Sequence, residues 1–293
     1  MPFAGETDMY MSVPSCNSER VYEMRTQQLK PMHHIHRELE KVYQIERSPV
    51  PSDYKHQAFF KREPCEYTRE LYDKQSIKLK NPAHIINCYD TYPSSKLSTA
   101  LYNKKMLGFR DAAVFSLCDQ GSSCPILAVQ LACLYHSNTI IICMEEMYGM
   151  SESWDEGRGY PKSDAAALIQ LSPDFGDWKV AGFDRQWSPR SSPNVQSVAD
   201  LSITLIQRVL AQSGALPRET LILPQRLNFH YEERIGRAFP HVYMHHGQEN
   251  FLTADPFYSL EQLHAEGIAK DWPYILLNFA DYKAVGCLLL LSA

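Results

Sequence analysis

The sequence predicts an α/β protein built from two similar halves, and three observations predict it. From Asn81 onward, short apolar runs alternate with helical stretches, the pattern of a sheet crossed by helices. The order of those elements then repeats toward the C-terminus, which implies two βαβ-type units packed about a pseudo-twofold. Polar turns at Gln120–Ser122 and Gly247–Asn250 fall at equivalent points, each after a strand and before a helix. Such points are where α/β sheets present ligand sites.

In chain order, residues 26–47 carry the apolar spacing of a charged amphipathic helix, and the Pro-rich, charged stretch 48–70 reads as loop. His33, His34 and His36 do not share one helical face, so no metal site is expected there. A buried strand, Ala83–Cys88, precedes a helix over Lys96–Met106. Strand Ala112–Leu117 runs into Asp119-Gln120-Gly121-Ser122-Ser123, where a helix begins with Ile126, Leu127, Leu131 and Leu134 on its apolar face. Strands Thr139–Met144 and Ala165–Leu171 follow.

The second half opens with strand Trp178–Phe183 and a Ser/Pro loop, Ser188–Ser197. Then come helix Val198–Ser213, strand Thr220–Leu223, helix Tyr231–Phe239, strand His241–Met244 and helix Ser259–Glu266. Two apolar runs, Tyr274–Phe279 and Val285–Leu291, finish the chain. Strands Ala83–Cys88, Ala112–Leu117, Thr139–Met144 and Ala165–Leu171 correspond to Thr220–Leu223, His241–Met244, Tyr274–Phe279 and Val285–Leu291. The halves are therefore placed at 1–172 and 173–293.

Composition bounds the function. A chain of 293 residues, 44% hydrophobic and 22% charged, can bury a large core. Its net charge of −5 argues against nucleic acid as a partner. No apolar run approaches the roughly 20 residues of a membrane span, and the N-terminus lacks the charged-then-apolar pattern of a signal peptide. The eight cysteines are irregularly spaced and several lie in apolar runs, so free buried thiols in a cytoplasmic protein are expected. No Cys-x-x-Cys pair suggests a metal, and no cofactor is expected.

The turn at Ser122 has two readings. A helix N-terminus offers unpaired N–H groups and a positive dipole end, which suit a nucleophile and an oxyanion. A Gly-Ser-Ser at a helix start is equally a plain helix cap.

Leu107-Gly108-Phe109-Arg110, the strand after it, and Gly121-Ser122-Ser123-Cys124 with Ala128 and Ala132 resemble the nucleophile segment of ketoacyl synthase III enzymes. Ser163-Asp164-Ala165-Ala166-Ala167 is similar to their Gly-Asp-Gly-Ala-Ala strand, and Leu221 to Asn228 to their segment with Pro-His and a nearby Asn. His246-Gly247-Gln248 resembles their Gly-Asn segment, and the Leu-rich end their last strand. The resemblance covers Asn81 to Ala293 and implies a thiolase-like fold of two duplicated halves in five αβαβα layers.

In that family a Cys attacks an acyl thioester, while His and Asn bind the thioester carbonyl. Carried over, Ser122 falls at the Cys position with a one-residue gap, Gln225 at the His position and Gln248 at the Asn position. Asp281-Tyr282-Lys283 replace the glycine-rich loop whose backbone lines the oxyanion hole. A serine without an adjacent base is a weak nucleophile. A glutamine can donate to a carbonyl but cannot take a proton. These changes argue against decarboxylative condensation. Cys124 is an alternative nucleophile or a core thiol, His246 and His230 are the candidate bases, and Asn228 orders its loop.

Two functions follow from the resemblance. One is an acyltransferase of specialised metabolism that handles a thioester of acyl carrier protein or coenzyme A. The other is a non-catalytic subunit that dimerises with an active homologue. A hydrolase elbow would need Gly-x-Ser-x-Gly, which this turn lacks. A homodimer or heterodimer through the strand before Ser122 is expected, and Arg185, Arg190, Arg208 and Arg218 are candidates for docking a carrier protein.

Overall fold

The computed structural model describes residues 8–17, 21–22, 58–59, 64–90, 98–145, 160, 162–188, 194–247 and 249–293. The expected helix over 26–47, with His33, His34 and His36, lies outside them, as do Gln248 and Arg190. The strands are β1 (Tyr10–Met11), β2 (Ser15–Cys16), β3 (Val21–Tyr22), β4 (Ala58–Phe59), β5 (His84–Cys88), β6 (Ala113–Leu117), β7 (Thr139–Glu145), β8 (Ala165–Ser172), β9 (Trp178–Trp187), β10 (Thr220–Pro224), β11 (Tyr274–Ala280) and β12 (Ala284–Ser292). The helices are α1 (Tyr67–Lys74), α2 (Thr99–Leu107), α3 (Cys124–Tyr135), α4 (Val195–Ser213), α5 (Phe229–Ala238) and α6 (Asp255–Ala265).

Apart from β3 and β4, which pair with each other, the strands form one mixed sheet in the order β10-β11-β12-β9-β1-β8-β7-β5-β6, with β2 also on β8. Inward from its β6 edge the pairings run parallel, parallel, antiparallel, antiparallel, as far as β1. At the opposite edge Val242 bridges Ile222 of β10 in parallel, and the same four senses follow inward as far as β9. β1 and β9 join the two arms. Strands β7 and β8 are buried along their whole length, which explains their nearly unbroken apolar sequence.

Helices α1 and α2 pack on strands of the first arm, and α4 packs on the second with α5 against it. Helices α3 and α6 touch strands of both arms. The α3 helix starts hard against β12. A Cβ on Gly286 would lie 2.6 Å from Ile126 Cγ1, so only glycine permits that approach.

Several boundaries differ from the sequence reading. The α1 helix starts inside the stretch read as loop. Tyr67, Thr68, Leu71 and Tyr72 give it a narrow buried face that its charges disguise. The α4 helix starts at Val195, because Asn194 and Ser197 form a reciprocal capping box. The α6 helix starts at Asp255 rather than Ser259, with Pro256 in the first turn, where proline is tolerated.

The expected strand His241–Met244 shrinks to a single bridge, made by Ile222 N to His241 O (3.0 Å) and Tyr243 N to Ile222 O (2.9 Å). Beyond it the His245 and His246 N–H groups go to Ser259 Oγ and Gln262 Oε1 on α6, so the chain leaves the sheet. The N-terminal β1 and β2 carried no readable period, being two residues each.

The eight cysteines are free thiols, with Cys118 exposed and the others buried. Among the described residues no cluster could hold a metal ion, and no helix is long and apolar enough to cross a membrane.

Candidate functional site

The turn between β6 and α3 carries Ser122. Gly121 takes φ +64° there, and the Cys124 N–H closes the turn on Gly121 O at 3.0 Å. Arg185 of β9 holds the turn from the side. Its Nε donates to Ser123 Oγ and its Nη2 to Gln120 O, both at 2.8 Å, while the guanidinium stacks 4.2 Å over Trp187. Arg185→Met is therefore expected to cost about 2 kcal/mol in urea unfolding. Arg185→Lys should recover little of it, because an ammonium cannot span both acceptors as a planar fork does. Equal stability of Arg185→Met and wild type would remove this clamp from the account.

Ser122 is fully buried, and its hydroxyl receives the Gln225 side chain, Nε2 to Oγ at 2.9 Å. The same Nε2 donates to Asn250 Oδ1 at 3.0 Å, and Gln225 Oε1 accepts from Ala280 N at 3.0 Å. Asn250 Oδ1 also accepts from Leu252 N (2.8 Å), and Ser163 N ties down Asn250 O (3.0 Å). Ser122, Gln225 and Asn250 thus form a connected net in which both Gln225 carboxamide groups and the Asn250 carboxamide oxygen are engaged.

The Ser122 N–H at the start of α3 is also spoken for: it donates to the Asp281 carboxylate. Asp281 Oδ1 further accepts from Lys283 N (2.7 Å) and Ala284 N (2.9 Å). Burial pushes the Asp281 carboxyl up from the usual range, Asp90 adds to the shift, and the three N–H donors oppose it. Lys283 Nζ reaches Asp90 Oδ1 at 2.6 Å, and Asp90 N donates to Glu145, which also takes the Thr253 hydroxyl.

No family model and no curated protein matches this sequence. Solved structures do match it. The acyltransferase ChlB3 superposes with a TM-score of 0.74 at 11% identity over 97% of this chain and 98% of its own. The 3-oxoacyl-(acyl carrier protein) synthase III of Pseudomonas aeruginosa PAO1 gives 0.73 at 13% over the same shares. Cerulenin-bound OleA of Xanthomonas campestris gives 0.69 at 12%, over 97% of each chain.

The chain has the thiolase-like fold.

Within that fold the predicted residues part company. Ser122, Gln225 and Asp281 meet, although they come from three separate strand ends. Gln248 lies outside the described residues, and Asn250 makes the contact with Gln225. The sequence held a signal for it, because Asn250 stands two residues beyond Gln248 and is the residue type that the resemblance calls for.

Lys283 is on the rim, paired with Asp90. Tyr282 packs against the core of the second arm, and its hydroxyl has no partner among the described residues. Cys124 is buried, with Sγ on Leu117 O at 3.2 Å. Hydrogen bonding with Cys88 and burial push its thiol up, away from the thiolate. His246 faces solvent on Glu266 (3.0 Å), so it is no base for Ser122, and exposed His230 sits beside Glu233. Asn228 caps α5 by accepting from His230 N at 2.8 Å. Sequence reasoning gave Arg185 a docking role rather than this contact with the Ser122 turn, and did not single out the side chain of Asn250.

Proposed function

We propose that this thiolase-like chain is a non-catalytic subunit of a cytoplasmic acyl-thioester-handling assembly, pairing with an active homologous synthase. One observation carries this reading. The Ser122 hydroxyl receives a carboxamide N–H and has no base beside it among the described residues, while its backbone N–H is occupied by the Asp281 carboxylate. A nucleophile needs a base to take its hydroxyl proton, and an oxyanion needs the second donor vacant.

The reading takes the chain as two duplicated halves, 1–172 and 173–293, in five αβαβα layers with α3 and α6 in the middle. The matched order of strand senses in the two arms supports it. Two of the candidate docking arginines are engaged within the chain, Arg185 on the Ser122 turn and Arg208 on Asp184 at 2.6 Å, whereas Arg218 beside Glu219 is largely exposed. That weakens direct docking of an acyl carrier protein on Arg185 and Arg208. The partner face is β6, the edge strand among the described residues, whose flanking helices α2 and α3 carry Leu101 and Leu134, large apolar groups 60% and 57% exposed.

Incubation with acyl-coenzyme A and acyl carrier protein thioesters, followed by intact-mass measurement, tests the proposal. No adduct and no turnover are expected from the chain alone. A complex with a co-expressed homologous synthase is expected, and it should be lost on joint Leu101→Glu and Leu134→Glu substitution. An acyl adduct on the wild type that Ser122→Ala abolishes would instead establish the acyltransferase reading.

A further inference from the structure

We infer that Asp255, backed by His245, is the clamp that sets Gln225 and Asn250 against Ser122 and keeps this centre closed; the inference rests on the closed-centre reading above. Asp255 is the first residue of α6 and is fully buried. Its Oδ1 accepts from Arg226 N and its Oδ2 from Phe251 N, both at 2.8 Å. Those two N–H groups belong to the residues immediately after Gln225 and Asn250. One carboxylate therefore fixes the separation of the two loops whose side chains meet at Ser122. Charge-assisted bonds of this kind, made out of water and at a helix N-terminus, are stronger than neutral ones.

Two further features show that the position is held rather than incidental. Leu252 adopts φ +50°, a left-handed conformation that a leucine avoids unless its surroundings impose it. The bonds flanking it are Phe251 N to Asp255 and Leu252 N to Asn250 Oδ1. His245, 1% exposed, places Nε2 3.2 Å from Asp255 Oδ2, and its ring lies against Phe251 with centroids 5.0 Å apart. It thus braces both the carboxylate and the strained turn. His245 and Asp255 touch neither the Ser122 hydroxyl nor the Ser122 amide, so they are positioning residues.

A thiol reporter tests the clamp. In Ser122→Cys the introduced thiol is expected to react with iodoacetamide as slowly as the core cysteines, by peptide mapping. Adding Asp255→Asn, which cannot accept both amides and the imidazole as before, is expected to raise its rate about tenfold or more by local opening. Cys88, Cys124 and Cys143 should stay protected. An unchanged rate overturns the inference, and so does a rise shared by all the core thiols, which would make Asp255 a general stabiliser.

If Asp255→Asn does not fold, His245→Asn keeps the carboxylate and is read by hydrogen exchange. Segments 226–228 and 251–253 should then quicken together, and quickening of one alone overturns the clamp. Acylation of wild-type Ser122 would remove the non-catalytic reading, yet the response of the reporter to Asp255→Asn would still decide the clamp.

Discussion

Gly121→Ala is expected to cost the fold about 3 kcal/mol in urea unfolding, but only about 1 kcal/mol once Asp281 is replaced by alanine. Two physical effects combine at this position. Gly121 sits at φ +64°, where any side chain is strained, and a Cβ there would overlap the Asp281 carboxylate. The carboxylate cannot retreat without surrendering its bonds to Ser122 N, Lys283 N and Ala284 N. Removing Asp281 first leaves the backbone strain and deletes the overlap, so the two substitutions should be strongly non-additive. Four unfolding curves complete the cycle. Additive costs would mean that Asp281 does not press on the turn and that the α3 N-terminus is open to an outside anion.

Replacing Glu232 with glutamine is expected to remove a pH dependence of about 3 kcal/mol. Burial raises the Glu232 carboxyl to about 7, against the opposing effects of Arg226 and the Tyr160 hydroxyl, while Asp255 adds to the rise. Glu232 Oε2 accepts from Tyr160 at 2.8 Å, and its Oε1 has no partner among the described residues. The folded chain thus holds this proton more tightly than the unfolded chain does. That contribution is fully present below the unfolded value near 4.5 and is lost as pH rises through about 7. Glu232→Gln should therefore gain stability relative to wild type between pH 4.5 and pH 8, as read from unfolding free energies across that range. A constant difference would show that Glu232 stays ionised in the fold.

The resolved elements after Asn81 were legible because each is written locally. β7 and β8 are apolar runs, and α3 follows a small-residue turn and opens on Pro125, a first-turn residue. Where local grammar is thin the reading slipped. The α6 helix began four residues early through Pro256, and the segment at His241 left the sheet because side chains of α6 competed for its N–H groups. The site was half legible. Ser122 and Gln225 lie at recognisable turns, but Asn250 was passed over for Gln248, and Arg185 sits inside a strand whose sequence does not mark it as a clamp.

The sequence by itself determined most of the order of strands and helices after Asn81 and the turns that carry Ser122 and Gln225, since periodicity and turn chemistry act over a few residues. Only the tertiary structure decided what Ser122 touches. Gln225 is 103 residues away along the chain and Asp281 is 159, and each arrives from the end of a different strand. Which side chain fills the anion place at a helix start depends on how those strand ends pack, and packing over such separations leaves no periodic trace in the chain.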